Sequence, residues 1–347
     1  MNHIVHIITG LQRGGAETVL VTLVKELQTY GHRQSVIFFK DGPLRAELEQ
    51  LGIDTYRVKP WHLLSFVRTL RPTVIHSSLW SANLIARIVG ALLRIPVFCA
   101  LHTVAEHSGF FRNFIDFLLP IQPQNYIAVS HTVHESYDAI VPAHKLVIIE
   151  NGISSPPILS DFEEIVSKNE KNIFTIGAVG RFVPVKNFDL LLHACAQLHK
   201  EFKHIRLILI GHGPLEQQLR DLVDQLAIND IVTFVINKPA QDYYQFFDCF
   251  VQPSAHEGLS IALLEAMQAG LPTIVTGIDG QHVCIEHKKS GLVIEPNHLT
   301  ILYEALRDYI QQPENIVAYA QAGKNYVQEH FSAAQMAQRY ADLFFRV

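Results

Sequence analysis

Two doubly wound α/β domains of Rossmann type, facing each other across a cleft, are what this sequence predicts. Three observations carry the prediction. Short β-branched runs alternate with amphipathic helical stretches from end to end, the pattern of parallel sheets wrapped by helices. These runs form two sets of about six, one on each side of a turn-and-proline boundary. A chain of 347 residues, 48% hydrophobic and 18% charged, is too long for one ordinary domain and apolar enough to bury two cores.

In the first half the strand candidates are 4–8, 35–39, 74–76, 96–100, 126–129 and 147–149. In the second half they are 173–179, 205–210, 231–235, 249–252, 273–275 and 291–294. The boundary falls at Asn151-Gly-Ile-Ser-Ser-Pro-Pro157, where a turn signal and paired prolines end one sheet and open a linker. The predicted domains are therefore 1–155 and 156–325. Residues 326–347 read as a helix that crosses back to the first domain, with Phe331, Met336, Tyr340, Leu343 and Phe344 toward its core.

Charge and cysteine usage narrow the function. The net charge of −5 lacks the basic excess of a nucleic-acid binder, so nucleic acid is not an expected partner. The first 155 residues nevertheless hold 13 Lys and Arg against 11 Asp and Glu, whereas the remainder holds 15 against 22. Four scattered cysteines give neither a disulfide framework nor a zinc site and fit a reducing cytoplasmic compartment. The N-terminus lacks the features of a signal peptide, and no apolar run approaches the ~20 residues of a membrane span.

Three segments carry chemistry. The first, Thr9-Gly-Leu-Gln-Arg-Gly-Gly-Ala-Glu17, joins the first strand to a helix. Gly14 and Gly15 let a phosphate or sugar oxygen approach the helix N–H groups, or simply make a tight turn. The second, Gly177-Ala-Val-Gly-Arg-Phe-Val-Pro-Val-Lys-Asn187, sets Arg181 and Lys186 at the carboxyl edge of the second sheet. There a planar guanidinium and a compact ammonium suit a pyrophosphate, the alternative being two solvated surface charges. The third runs from Pro253 to Pro272. In it Glu257 precedes a helix starting near Ser260, and Gly258 lets the loop fold tightly. Glu265 lies in an almost wholly apolar turn, where a carboxylate needs a hydrogen-bonding partner; a ribose diol or an internal salt bridge would serve.

Glu257 and Glu265 have the E-x7-E spacing of retaining glycosyltransferases with the GT-B fold, and their surroundings resemble family 4 of those enzymes. Gly14-Gly-Ala-Glu17, His76-Ser-Ser-Leu-Trp-Ser-Ala-Asn83, Leu101-His-Thr103, Val129-Ser130, Asn151-Gly-Ile153 and Val179-Gly-Arg181 with Lys186 follow in the family's order, so the resemblance covers most of the chain. It departs at Ile236-Asn237, where the family usually has a glycine in the loop that reads the nucleotide base. It departs again at 278–282, where a glycine pair and an acidic residue are replaced.

The resemblance implies roles by position. Arg181 and Lys186 neutralise the donor diphosphate, Glu265 holds the ribose hydroxyls, and Glu257 binds the donor sugar together with Gly258, Leu259 and Ser260. Gly14 and Gly15 offer backbone N–H groups to the donor, and Asn237 stands in the base loop. His102, one of 19 histidines, serves at the reacting centre from the first domain. The implied substrates are a nucleotide-sugar donor and a glycan or lipid-linked acceptor, in cell-surface polysaccharide or lipopolysaccharide synthesis. No cofactor is expected: Asp-x-Asp is absent, so cations of the chain and helix N–H groups would stabilise the leaving diphosphate without a metal. Alternatives are a GT-B sugar-nucleotide epimerase and a non-catalytic nucleotide-sugar-binding subunit. Residues 108–120 carry Phe110, Phe111, Phe114, Phe117 and Leu118 at helical spacing; that face would pack on the core or lie on the inner face of the cytoplasmic membrane.

Overall fold

The computed structural model describes residues 2–105, 121–154, 173–278 and 284–345, with the side chains of 313–315 left aside. The chain divides into two compact units, 1–154 together with 331–347, and 155–330. Each is built on its own parallel sheet.

The strands of the first unit are β1 (His3–Gly10), β2 (Arg33–Lys40), β3 (Asp54–Arg57), β4 (Val74–Ser78), β5 (Val97–Leu101), β6 (Asn125–Ala128) and β7 (Leu146–Ile148), ordered β3-β2-β1-β4-β5-β6-β7. Six were expected from the sequence. The seventh, β3, has a short polar pattern because it is an edge strand, pairing only with β2. Helices α1 (Gly15–Leu27) and α2 (Leu44–Gln50) bury Leu20, Val24, Leu44 and Leu48 with Val36 and Phe38 on one sheet face. Helices α3 (Leu63–Leu70), α4 (Trp80–Leu93) and α5 (His131–Tyr137) pack on the other face, where Val67, Ala82, Ala86 and Val133 meet Val5, Ile37 and Ile75. Adjacent residues of β2 thus face opposite layers, the period of two that a doubly wound sheet requires.

In the second unit β8 (Phe174–Val179), β9 (Ile205–Gly211), β10 (Val232–Ile236), β11 (Cys249–Gln252), β12 (Thr273–Thr276) and β13 (Leu292–Ile294) are ordered β10-β9-β8-β11-β12-β13. The order reverses between β8 and β11, which makes the crevice at their carboxyl ends the topological switch point where open α/β folds take ligands. Among the described residues, helices α6 (Phe188–Glu201), α7 (Glu216–Leu226), α8 (Ile261–Gln268), α9 (Leu299–Gln311) and α10 (Pro313–His330) belong to this unit.

The C-terminal region is two helices. α10 continues through the expected crossing point at 326, and the chain changes units at buried Phe331, after which α11 (Ala333–Phe344) begins. The break has a local cause. Ile153 and Ser332 form a parallel bridge in which Ile153 N–H donates to the Phe331 carbonyl (2.8 Å) and Ala333 N–H to the Ile153 carbonyl (3.1 Å). Gly152 is required there, since a Cβ would fall 2.4 Å from the Ser332 carbonyl oxygen. From this anchor α11 lies beside α1 and buries Met336, Tyr340, Leu343 and Phe344. The dipeptide Asn151-Gly152, read in the sequence as a turn and linker, is therefore packed against the C-terminal helix. Residues 155–157 of the expected linker lie outside the described residues.

Candidate active site

At the switch point of the second unit, two loops are tied together. Ala255 N–H donates to the Val185 carbonyl (2.8 Å), joining the loop after β11 to the loop after β8. Lys186 and Glu257 meet across it as an ion pair, with side chains 16% and 19% exposed. The second carboxylate contact comes from Gln252, at the end of β11 and buried, whose Nε2 donates to Glu257 Oε2 (3.1 Å). Ser254 Oγ stands 3.5 Å from the same oxygen. Gln252 is itself fixed, because its Oε1 accepts from Ser260 Oγ (2.8 Å). Ser260 also caps α8, accepting from Leu263 N–H (3.3 Å). One hydroxyl thus satisfies a helix start and orients the amide that holds Glu257.

Glu265 stands one turn into α8. Its Oε2 accepts from Tyr244 Oη (2.8 Å) and its Oε1 from Gln241 Nε2 (2.5 Å). These neutral partners replace the internal salt bridge that the sequence left open. Burial outweighs their stabilisation of the anion and pushes the Glu265 carboxyl up to about 7. The group therefore titrates near neutrality.

The other sequence-derived donor residues divide by what they contact. Arg181 is exposed, so it is free to turn toward a ligand, whereas Lys186 is already engaged by Glu257. Leu259 is buried and apolar, and Gly258 lies between it and Glu257. Asn237 is exposed and adopts φ +57°, the left-handed conformation that asparagine tolerates better than other non-glycine residues. The second departure, at 278–282, lies outside the described residues except for Ile278.

Sequence reasoning passed over the turn Gly211-His-Gly213 after β9. A Cβ at Gly211 would fall 1.9 Å from the Gly180 carbonyl oxygen, and one at Gly213 would fall 2.4 Å from that of Phe182. The loop carrying Arg181 is thus pressed against backbone on its β9 side. Paired glycines directly after a strand were the available signal. Gln241, Tyr244 and Gln252 had none, because their roles depend on neighbours distant in sequence.

In the first unit Gly14 caps α1 in extended conformation, and Gly15 opens the helix. A Cβ on Gly14 would lie 2.5 Å from Oε2 of Glu17, so the helix start is already faced by a carboxylate. That arrangement suits a sugar hydroxyl better than a further anion at this spot. The turn after β4 holds Leu79 at φ 73°, ψ 145°, a region normally left to glycine and costing on the order of 1–3 kcal/mol.

Three histidines of this unit, His6, His76 and His102, are held neutral by burial. His6 Nε2 faces Gln34 Oε1 (3.1 Å), and Gln34 Nε2 donates to the Val24 carbonyl (3.0 Å). The amide orientation makes His6 Nε2 the donor, so His6 Nδ1 accepts from His76 Nδ1 (3.0 Å). Burial lowers His6 to about 4 and takes His76 well below its ordinary value, with His6 and His102 adding to the effect on His76. His102 follows β5, and burial lowers it to about 4 as well. Its Nε2 is buried without a hydrogen-bond partner among the described residues. At neutral pH His102 is therefore an uncharged imidazole with polar capacity to spare. Residues 108–120, the predicted amphipathic segment, lie outside the described residues.

Two family models match the chain, one on each unit: Glycosyltransferase Family 4 over residues 13–155 and Glycosyl transferases group 1 over 160–326. The chain is a family-4 glycosyltransferase of the GT-B fold. The transferase is 26% identical to the lipopolysaccharide core biosynthesis glycosyltransferase LpsD of Rhizobium meliloti, over 99% of this chain and 98% of LpsD. It is 24% identical to the putative glycosyltransferase EpsF of Bacillus subtilis, over 79% and 78% of the two chains. Among solved structures, Anabaena Alr3699/HepE in complex with UDP and glucose superposes with a TM-score of 0.90 at 20% identity, covering both chains in full. The transferase shares that protein's fold.

Proposed function

We propose that this glycosyltransferase moves a sugar, with retention of anomeric configuration, from a nucleoside-diphosphate donor to a glycan or lipid-linked acceptor of cell-surface polysaccharide or lipopolysaccharide. The observation that carries the reading is the cluster at the switch point of the second unit. There Lys186 and Glu257 pair although they lie 71 residues apart in sequence, and Glu265 follows on α8 with Tyr244 and Gln241 as its partners. Relatives support the donor and acceptor classes by name: LpsD is a lipopolysaccharide core enzyme, and the HepE structure was obtained with UDP-glucose.

In this reading Arg181 and Lys186 take up the charge that develops on the leaving diphosphate, aided by helix N–H groups. Glu265 accepts hydrogen bonds from the ribose diol, exchanging them for those of Tyr244 and Gln241. Glu257 turns to the donor sugar while Gln252 keeps its second contact, and Leu259 and Ser260 support the loop. Gly14 and Gly15 offer N–H groups, and neutral His102 contributes a hydrogen bond to the sugar. The chain holds no side chain assigned as covalent nucleophile, so the acceptor attacks from the face the diphosphate leaves. The departing phosphate oxygen takes the acceptor's proton. No metal is required by this scheme, and the enzyme works in the cytoplasm at the inner face of the membrane.

The test is transfer to candidate acceptors after donors are chosen by thermal shift, because a ligand of the native state raises its stability. The expected product retains the donor's anomeric configuration, and transfer persists in excess chelator. An inverted product or a strict need for Mn²⁺ or Mg²⁺ overturns the mechanism. Conversion of the donor to its epimer without transfer favours the epimerase instead.

A further inference from the structure

Lys186 has two anions to serve. In the free protein its ammonium is paired with Glu257, both side chains being less than one-fifth exposed, and a donor diphosphate needs the same ammonium. The lysine has little room to serve one anion from a different place. Its stem lies along Gly180, where a Cβ would stand 3.3 Å from Cε and 3.4 Å from Cδ. Its loop is tied to the loop of Glu257 by the bond from Ala255 N–H to the Val185 carbonyl (2.8 Å). Only the ammonium is left to change partners.

Glu257 is placed to compete for it. Lys186, Gln252 and Ser254 all reach a single oxygen, Oε2, and Oε1 takes no hydrogen bond among the described residues. Once the ammonium leaves, the carboxylate keeps only neutral partners, the Gln252 amide at 3.1 Å and the Ser254 hydroxyl at 3.5 Å. Gln252 is buried with its Oε1 engaged by Ser260, so it has nothing further to offer. A largely desolvated anion in that position is stabilised by regaining its cation. A sugar hydroxyl on Oε1 offsets part of the loss while the donor is intact, and that offset ends when the sugar is transferred.

The spent diphosphate, meanwhile, gains charge. Its terminal phosphate gives up the proton taken from the acceptor above a pH of roughly 6, so Arg181 and Lys186 face more negative charge in the product than in the donor. Without a competitor, the cations that stabilise the leaving group would also trap it. We infer that Glu257, besides binding the donor sugar, expels the nucleoside diphosphate by reclaiming Lys186 once the sugar has gone. The role presupposes Lys186 as a ligand of the donor diphosphate, as in the function proposed above.

The experiment is equilibrium titration of the full chain with UDP, GDP and ADP, the one that binds the wild type most tightly being carried into the variants. Glu257→Gln keeps the shape of the side chain and removes its charge. It should bind that nucleotide on the order of tenfold more tightly, the equivalent of one charge-assisted hydrogen bond. Stopped-flow should show the gain as slower dissociation. A gain is the diagnostic sign, because a loop damaged by the substitution would bind less. Glu257→Ala should change affinity in the same direction and replaces Glu257→Gln if that variant does not fold, whereas Lys186→Ala should weaken binding. If Lys186→Ala weakens binding but both Glu257 variants bind like the wild type or less tightly, the expulsion role is overturned and the diphosphate site stands. If none of the three nucleotides binds, or Lys186→Ala binds as tightly as the wild type, Lys186 is not a diphosphate ligand, and the transferase reading of that residue falls together with the expulsion role.

Discussion

Arg181→Ala and Lys186→Ala should each lower turnover on the order of a hundredfold, the cost of removing one preorganised donor from a developing oxyanion. The two variants should differ in stability. Arg181 is exposed, so its loss leaves folding nearly untouched. Lys186 is paired with Glu257 where both side chains are less than one-fifth exposed. Its removal leaves the carboxylate with only Gln252 and Ser254, a desolvated charge short of its cation, at a cost of about 1–2 kcal/mol. Adding Glu257→Gln to Lys186→Ala should restore the melting temperature without restoring transfer. Steady-state rates and thermal melts of the four proteins check this, and near-normal rates in both single variants would sink the assignment.

Donor affinity should rise with pH up to about 7 and then level off, with a slope near tenfold per pH unit on the acid side. The cause is Glu265. Burial pushes its carboxyl up to about 7, and only the ionised form can accept both hydrogen bonds of a ribose diol. Donor binding therefore releases a proton below that pH. The same shift affects folding in the opposite direction. The folded-state value lies above that of the unfolded chain, so the protonated group's contribution to stability is full below about 4.5 and is lost as pH rises through about 7. Unfolding free energy should fall by roughly 2–3 kcal/mol across that window from this group alone. Glu265→Gln should abolish both dependences and weaken donor binding most at pH 8. Isothermal titration in buffers of different ionisation enthalpy reads the proton count directly. An unchanged pH profile in Glu265→Gln would assign the effect to another group.

The sequence by itself determined the fold class and the ends of the chemistry-bearing loops. Its repeating apolar runs form strands at all six expected places in the second unit, the central ones continuously apolar because they are buried on both faces and the partly exposed edge strands β10 and β13 still mostly apolar. It missed β3 because Asp54-Thr-Tyr-Arg57 contains no apolar run, unlike the edge strands β7, β10 and β13. Glu257, Glu265, Lys186 and Arg181 were legible because their segments have recognisable spacing.

Only the tertiary structure decided what those groups touch and how they are charged. Lys186 was read as free for a diphosphate, but the loops after β8 and β11 are adjacent in space and pair it with Glu257. Tyr244 and Gln241, 21 and 24 residues from Glu265, replace the salt bridge that sequence alone left open. Gln252 looked like one more strand residue until its amide was found between Ser260 and Glu257. His102 was one histidine among 19, and its neutrality comes from burial beyond β5. Periodicity reports which residues leave water, whereas hydrogen-bond partners and protonation are set by groups that only folding brings together.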